Sequence, residues 1–198
     1  MRIIAGEKRS RLLIAPDGQE TRPTADKVKE ALFSILGSRV YDAEVLDLYS
    51  GSGALALEAL SRGARSAVMV DRDRKAGEAI RKNIRSLAYE EKAVFLPVSD
   101  TEAIKRLKNE KRSFDLVFLD PPYRMDSAPV CVLLREAGLL RDDCCIVSEH
   151  LKEEKPDPGE GFEITDERHY GITGITLLKK LGDVAEYKEK RKEVDLNG

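Results

Sequence analysis

The chain has 198 residues, of which 41% are hydrophobic and 35% charged, with a formal net charge of -2. That length and composition suit one soluble globular domain with a real core rather than a disordered or fibrous chain. No apolar run reaches the length of a membrane span and the opening residues lack a signal-peptide core, so a cytoplasmic protein with no membrane partner is expected. Cys131, Cys144 and Cys145 have no C-x-x-C spacing and read as buried small apolar residues, not a disulfide framework or zinc site.

Charge is uneven at the start. Arg2, Lys8, Arg9 and Arg11 face only Glu7 within the first eleven residues. Such a basic arm is either a phosphate-binding patch or a solvated face. Residues 2–5 and 11–14 read as short strands of a hairpin, followed by a turn at Pro16-Asp17-Gly18. Residues 1–20 are thus expected to form a hairpin extension, residues 21–180 the main domain and 181–198 a polar tail.

A helix follows with Thr24 as its expected N-cap, an inward stripe of Val28, Ala31, Leu32 and Ile35, and Gly37 at its end. Strands and helices then alternate. Strands are expected at residues 45–49, 67–70, 94–98, 114–119 and 145–148, with helices between them. A closing pair is expected at 162–164 and 174–178. This alternation predicts an α/β fold with a mostly parallel sheet flanked by helices on both faces. Ligands of such sheets bind beyond the carboxyl ends of the strands. Asp47, Asp71, Asp100 and Asp120 all fall at or just past expected strand ends, so they would share one edge.

Two turns carry the chemistry. Gly51, Gly53 and Ala56 fit G-x-G-x-x-G/A between a strand and a helix, and Asp71 follows at the distance of a ribose-binding acid. That pattern suits a dinucleotide, which makes a nicotinamide oxidoreductase one reading. Asp47 opposes it. A carboxylate 4 Å from a pyrophosphate charge costs about 4 kcal/mol at an effective dielectric near 20. A ligand with an ammonium and a sulfonium, S-adenosylmethionine, suits the acids better. The second turn is Asp120-Pro121-Pro122-Tyr123. Two prolines end strand pairing and hold the acid on a stiff turn beside a ring. It is either a Pro-rich turn or half of a site. His150 and His169 lack general-base spacing and read as structural.

With these residues assembled, the chain resembles the class I methyltransferases. Residues 47–53 resemble their glycine motif, and Asp120-Pro121-Pro122-Tyr123 resembles the signature of enzymes that methylate exocyclic amines. More narrowly, residues 2–179 resemble the bacterial small-subunit (16S) ribosomal RNA guanine-N2 methyltransferase family. The likeness includes residues 2–6, Arg22-Pro23-Thr24, Asp26 to Phe33, Gly51 to Leu55 and Glu58 to Ala64. Tyr49 and Ser50 replace the usual Phe-Ala of that family, and Ala56 stands where Gly is common. A hydroxyl of Tyr49 near the methionine end is the expected effect.

The resemblance implies a Rossmann-like, seven-stranded fold that uses S-adenosylmethionine and no metal. It implies that Asp47, Gly51 and Gly53 hold the methionine portion, with Arg22 and Thr24 near its carboxylate. Asp71 would bind the ribose and Asp100 the adenine. Asp120 and the Pro121-Pro122 turn would accept the target amine, with Tyr123 stacked on the base. The expected partner is small-subunit ribosomal RNA, naked or within an assembled or partly assembled 30S particle. Two other readings are a DNA adenine-N6 methylase, for which the chain lacks a large target-recognition domain, and a non-catalytic RNA-binding assembly factor. If Arg2, Lys8, Arg9 and Arg11 meet RNA phosphates, replacing Arg9 and Arg11 by Ala weakens RNA binding and lowers its salt slope by about 1–2. An unchanged slope in a titration against salt would leave the arm a solvated face.

Overall fold

The computed structural model describes residues 1–16, 23–121 (side chains from 26), 127–154 and 157–182. Among the described residues, five α-helices and seven strands follow one another, with a short 3-10 helix at Gly37–Val40: α1 (Pro23–Leu36), β1 (Glu44–Leu48), α2 (Ala54–Ser61), β2 (Ser66–Val70), α3 (Arg74–Leu87), β3 (Ala93–Leu96), α4 (Asp100–Asn109), β4 (Phe114–Leu119), α5 (Ala128–Glu136), β5 (Leu140–Leu151), β6 (Phe162–Tyr170) and β7 (Thr173–Lys180). They build one seven-stranded sheet in the order β3-β2-β1-β4-β5-β7-β6. The first five strands run parallel, and β7 and β6 close the edge antiparallel. The strand order reverses between β1 and β4, which makes their carboxyl ends the switch point where ligands of such sheets bind.

The strands are apolar on both faces because both are covered. Val45 faces the cluster beneath α1, α2 and α3, whereas Leu46 and Leu48 face the one beneath α4 and α5. Each fully buried aliphatic side chain contributes roughly 1.5–3 kcal/mol. Local signals set the helix ends. Asp73 accepts the Ala76 N–H at 2.9 Å to start α3, and Ser99 accepts that of Glu102 at 3.2 Å to start α4. Cys144 and Cys145 are buried in the two opposite clusters, as their adjacency on a strand requires.

Several elements differ from expectation. α1 begins at Pro23, one residue before the expected cap, since proline suits a first helical position. β3 stops at Leu96, short of Pro97. β5, β6 and β7 are longer than their apolar runs. Charged residues extend them, with Lys179 beside Asp143 at 3.4 Å and Lys180 beside Asp142 at 3.0 Å. The expected hairpin is reduced to one antiparallel bridge, Arg2 with Leu12, flanked by Ile3 N–H to Arg11 O at 2.9 Å and Leu13 N–H to Met1 O at 3.0 Å. The turn residues Asp17 and Gly18 lie outside the described residues, as does the tail from 183.

The arm is held by the body of the domain rather than by its own ladder. Glu58 of α2, fully buried, accepts the N–H groups of Ile4 at 2.7 Å and Ala5 at 3.0 Å. Its charge is met by Lys29 at 3.2 Å and Arg62 at 2.7 Å. Lys29 also donates to the Arg2 carbonyl at 2.6 Å, and burial lowers its pKa against the pull of Glu58. Beside this group, Ser61 donates to the Ala5 carbonyl at 2.6 Å, and a Cβ at Gly6 would sit 1.7 Å from the Ser61 carbonyl oxygen. Only glycine fits there. Removing one member of a buried charged group strands the others, which typically costs about 3–5 kcal/mol. Glu58→Ala should therefore lower the unfolding free energy by about that amount, read from the urea midpoint. A loss under about 1 kcal/mol would show that the arm docks without this carboxylate.

Candidate active site

Asp47 lies one residue inside the end of β1, in register with Met69 of β2 and Phe118 of β4. The chain leaves β1 through Tyr49, whose φ of 65° is a conformation that a bulky residue rarely adopts. The turn is held from below by a local network. The Ser50 hydroxyl donates to the Asp47 carbonyl at 2.6 Å and accepts the Val70 N–H at 3.0 Å. Gly53, with φ of 76°, caps α2, and a Cβ there would come within 2.8 Å of the Met69 sulfur. Gly51, also left-handed at 56°, faces open space on its Cβ side. One glycine thus packs against protein and the other lines a cradle.

The acids converge on this turn. Asp71, immediately after β2, accepts the Gly51 N–H at 2.9 Å with one oxygen and the Asp73 N–H at 2.8 Å with the other. Asp47 is buried and accepts the Ala56 N–H at 3.2 Å. Burial pushes its carboxyl up to about 8, with further upward pressure from Asp120 and Asp71. Asp120 follows β4 directly, and although its side chain reaches solvent, the protein around it removes water and raises its carboxyl to about 6. Pro121 beside it is half-buried. Asp100 opens α4 instead of ending β3. It accepts the Tyr49 hydroxyl at 2.6 Å and the Thr101 N–H at 2.7 Å. The Tyr49 hydroxyl therefore serves the Asp100 side of the site, not the Asp47 side where a methionine was expected.

Among the expected site residues, the structure brings Asp47, Gly51, Gly53, Asp71 and Asp120 together, with Asp100 linked through Tyr49. Arg22, Pro122, Tyr123 and the Thr24 side chain lie outside the described residues. Arg9 is exposed. Arg2 is paired with Asp26 at 3.6 Å, Lys8 lies over the Tyr89 ring at 5.5 Å, and Arg11 donates to the Ser86 carbonyl at 3.0 Å. Two residues near the site escaped sequence reasoning. Asn83 of α3 donates to the Ser52 and Ile14 carbonyls at 2.9 Å each and accepts the Ile14 N–H at 2.8 Å, tying the arm to the glycine turn. Glu149 of β5 is raised to about 8 by burial and then by Asp120. Among the described residues no three His, Cys, Asp or Glu side chains are grouped to hold a metal, and no helix is long and apolar enough to cross a membrane.

A mostly parallel sheet in this order, with an acid–glycine turn after its first strand, defines the Rossmann-like fold of the class I methyltransferases. Comparison with known proteins narrows that class. The family described as Conserved hypothetical protein 95 matches residues 1–179, and this chain belongs to it. YlbH of Bacillus subtilis (strain 168) is 38% identical over 184 residues, covering 92% of this chain and all of that protein. Ribosomal RNA small subunit methyltransferase D of Escherichia coli (strain K12) is 39% identical over 150 residues, covering 75% of this chain and 74% of that one. The solved structure of yhhF from Escherichia coli is 33% identical and superposes with a TM-score of 0.79, covering 91% of this chain and 98% of that one. The chain is a member of this 16S ribosomal RNA methyltransferase family.

The raised pKa of Asp47 has a stability signature. Between about pH 4 and 8 the folded carboxyl keeps a proton that the unfolded one has lost, so this group's contribution falls as pH rises through that window. Asp47→Asn should therefore gain stability relative to wild type as pH rises from 5 to 8, by at most about 1.4 kcal/mol per unit. Parallel stability–pH curves for the two proteins would place the carboxyl in an ordinary range.

Proposed function

We propose that the chain transfers a methyl group from S-adenosylmethionine to the exocyclic N2 amine of a guanine in small-subunit ribosomal RNA. The observation that carries this is the meeting of two halves of a site: Asp47 beneath the glycine turn is level with Phe118 in the parallel register of β1 and β4, which sets Asp120 just past the end of the adjacent strand. The name of the Escherichia coli relative supports ribosomal RNA of the small subunit as the substrate. The DPPY stretch and the family resemblance support an exocyclic amine as the acceptor.

The residues present fit S-adenosylmethionine. Gly51 opens onto free space, and the acids beside it favour a cationic ligand over a pyrophosphate. Asp47, Gly51 and Gly53 would hold the methionine portion, together with Arg22 and Thr24. Asp71 would take the ribose, and Asp100 the adenine, its position fixed by Tyr49. An ammonium near Asp47 would return that buried carboxyl to its charged form, so cofactor binding and proton release from Asp47 are linked.

When bound, S-adenosylmethionine supplies a methyl carbon that the amine nitrogen attacks as the carbon–sulfur bond breaks and its electron pair passes to sulfur. The protein orients the amine. The Asp120 carboxylate accepts one amine hydrogen, offsets the charge that develops on nitrogen and takes the proton that the methylated nitrogen must lose. With its pKa near 6, Asp120 is mostly ionised at neutral pH and a better base than an ordinary aspartate. Pro121 directly after it cannot donate a backbone hydrogen bond and so ends strand pairing there, and Tyr123 would stack on the base, worth roughly 1–3 kcal/mol. Such a base must be unstacked or already single-stranded.

Asp120→Ala should bind S-adenosylmethionine as wild type does yet lose methyl transfer by roughly 10²–10³-fold. The assay offers labelled cofactor with small-subunit ribosomal RNA, assembled 30S particles and DNA, and identifies the modified base by mass. Near-normal turnover in the variant would remove Asp120 from the chemistry. N6-methyladenine in DNA would replace the guanine reading.

A further inference from the structure

Glu149 has no assigned role, and its position on β5 calls for one. Phe118 pairs with Val147 and Leu119 with Ser148 in the parallel register of β4 and β5. The next residues along, Asp120 and Glu149, therefore emerge side by side at the carboxyl ends of the two strands. Both point to the face of α1, α2 and α3, because Phe118 and Val147, two residues earlier, line that cluster. On the other side of Glu149, the β7 partner is Ile175, which is buried and apolar. The neighbouring His150 is committed elsewhere, its ring nitrogens 2.8 Å from the Leu151 carbonyl and 2.9 Å from the Thr176 hydroxyl. Among the described residues, neither Asp120 nor Glu149 has a hydrogen-bond donor or cation on its carboxylate.

Two carboxylates side by side at adjacent strand ends repel each other when both are charged, and among the described residues nothing offsets that repulsion. Such an arrangement suits a ligand edge that offers two adjacent donors. The Watson–Crick edge of guanine does so through N1–H and the N2 amine. Adenine offers one donor, its N6 amine, beside the bare N1 lone pair. We propose that Glu149 is a specificity-determining residue of the target-base site, accepting the guanine N1–H while Asp120 accepts the N2 amine. This rests on the guanine-N2 reading above and adds to it. With N1–H held by an anion, the ring also returns electron density to the exocyclic nitrogen, which favours attack on the methyl carbon. The bonds made and broken are those already given; Glu149, raised to about 8 in the empty site, releases its proton to solvent as the base seats and takes up none in the transfer. Its raised pKa is consistent with a group whose charged form is stabilised only when the base is in place.

The test replaces guanine at the methylated position of small-subunit ribosomal RNA with 2-aminopurine, which keeps the N2 amine but has no N1–H. Wild type should prefer guanine by about 100-fold or more in kcat/KM, as sites built around a hydrogen bond do. Glu149→Gln should lose activity on guanine and gain on 2-aminopurine, because its amide can donate to the bare N1. The preference should narrow by at least about 10-fold, with cofactor affinity unchanged. A variant that loses activity equally on both RNAs would mark Glu149 as structural only and overturn the inference. So would a wild type that makes N2-methylguanine yet treats both bases alike, a measurement that needs no variant. If wild type forms no N2-methylguanine in any RNA, the guanine reading itself fails, and the inference fails with it.

Discussion

Parallel hydrogen bonding across β2, β1, β4 and β5 is the constraint on which the site depends. Parallel strands end together, so acids that are distant in sequence arrive at one edge. Asp47 and Asp120 are separated by three crossovers, yet the register of β1 and β4 brings them near enough for Asp120 to add to the upward shift of Asp47. Like charges so placed destabilise the empty fold. The sheet supplies the packing that holds them there, since the strands beneath are buried on both faces by helices. Affinity for a cation or a hydrogen-bond donor is the reverse side of that destabilisation.

The glycine turn is the second product of the same register. Val70 ends β2 beside Ser50 and Asp71 beside Gly51, so the end of one strand buttresses the turn that leaves its neighbour. Asn83 then bridges that turn to Ile14 of the arm. A residue of α3 thereby links the part of the molecule proposed to meet RNA with the part proposed to hold the cofactor.

Much of this was legible in the sequence, and the reasons for success and failure are physical. Apolar runs such as Val45-Leu46 and Leu116-Val117-Phe118-Leu119 announce strands covered on both faces, and glycines in a strand-to-helix turn announce a ligand loop. Glu58 and Asn83 were not legible. Each sits at ordinary helical spacing among other polar residues, and only the docked arm turns it into a buried hub. Glu149 was hidden for another reason: a charged residue at the end of an apolar strand looks solvated until the register of β4 and β5 sets it against Asp120. The long β5 was missed because Arg141, Asp142 and Asp143 break its apolar pattern while Lys179 and Lys180 of β7 pair with the two aspartates. Tyr49 stands out in the sequence as a departure, but its left-handed backbone and its bond to Asp100 are set by the turn as folded.

The docking of the arm also orders the birth of the fold. Residues 1–14 precede their partners in the chain, which lie between residues 26 and 89: Asp26, Lys29, Ser52, Glu58, Ser61, Asn83, Ser86 and Tyr89. During synthesis the arm cannot complete its docking until α3 has emerged. Its contacts span a large sequence separation, and such contacts are the slow ones to close. The arm is thus among the last segments to settle in this half of the domain, and the glycine turn acquires its Asn83 brace to the arm only when it does.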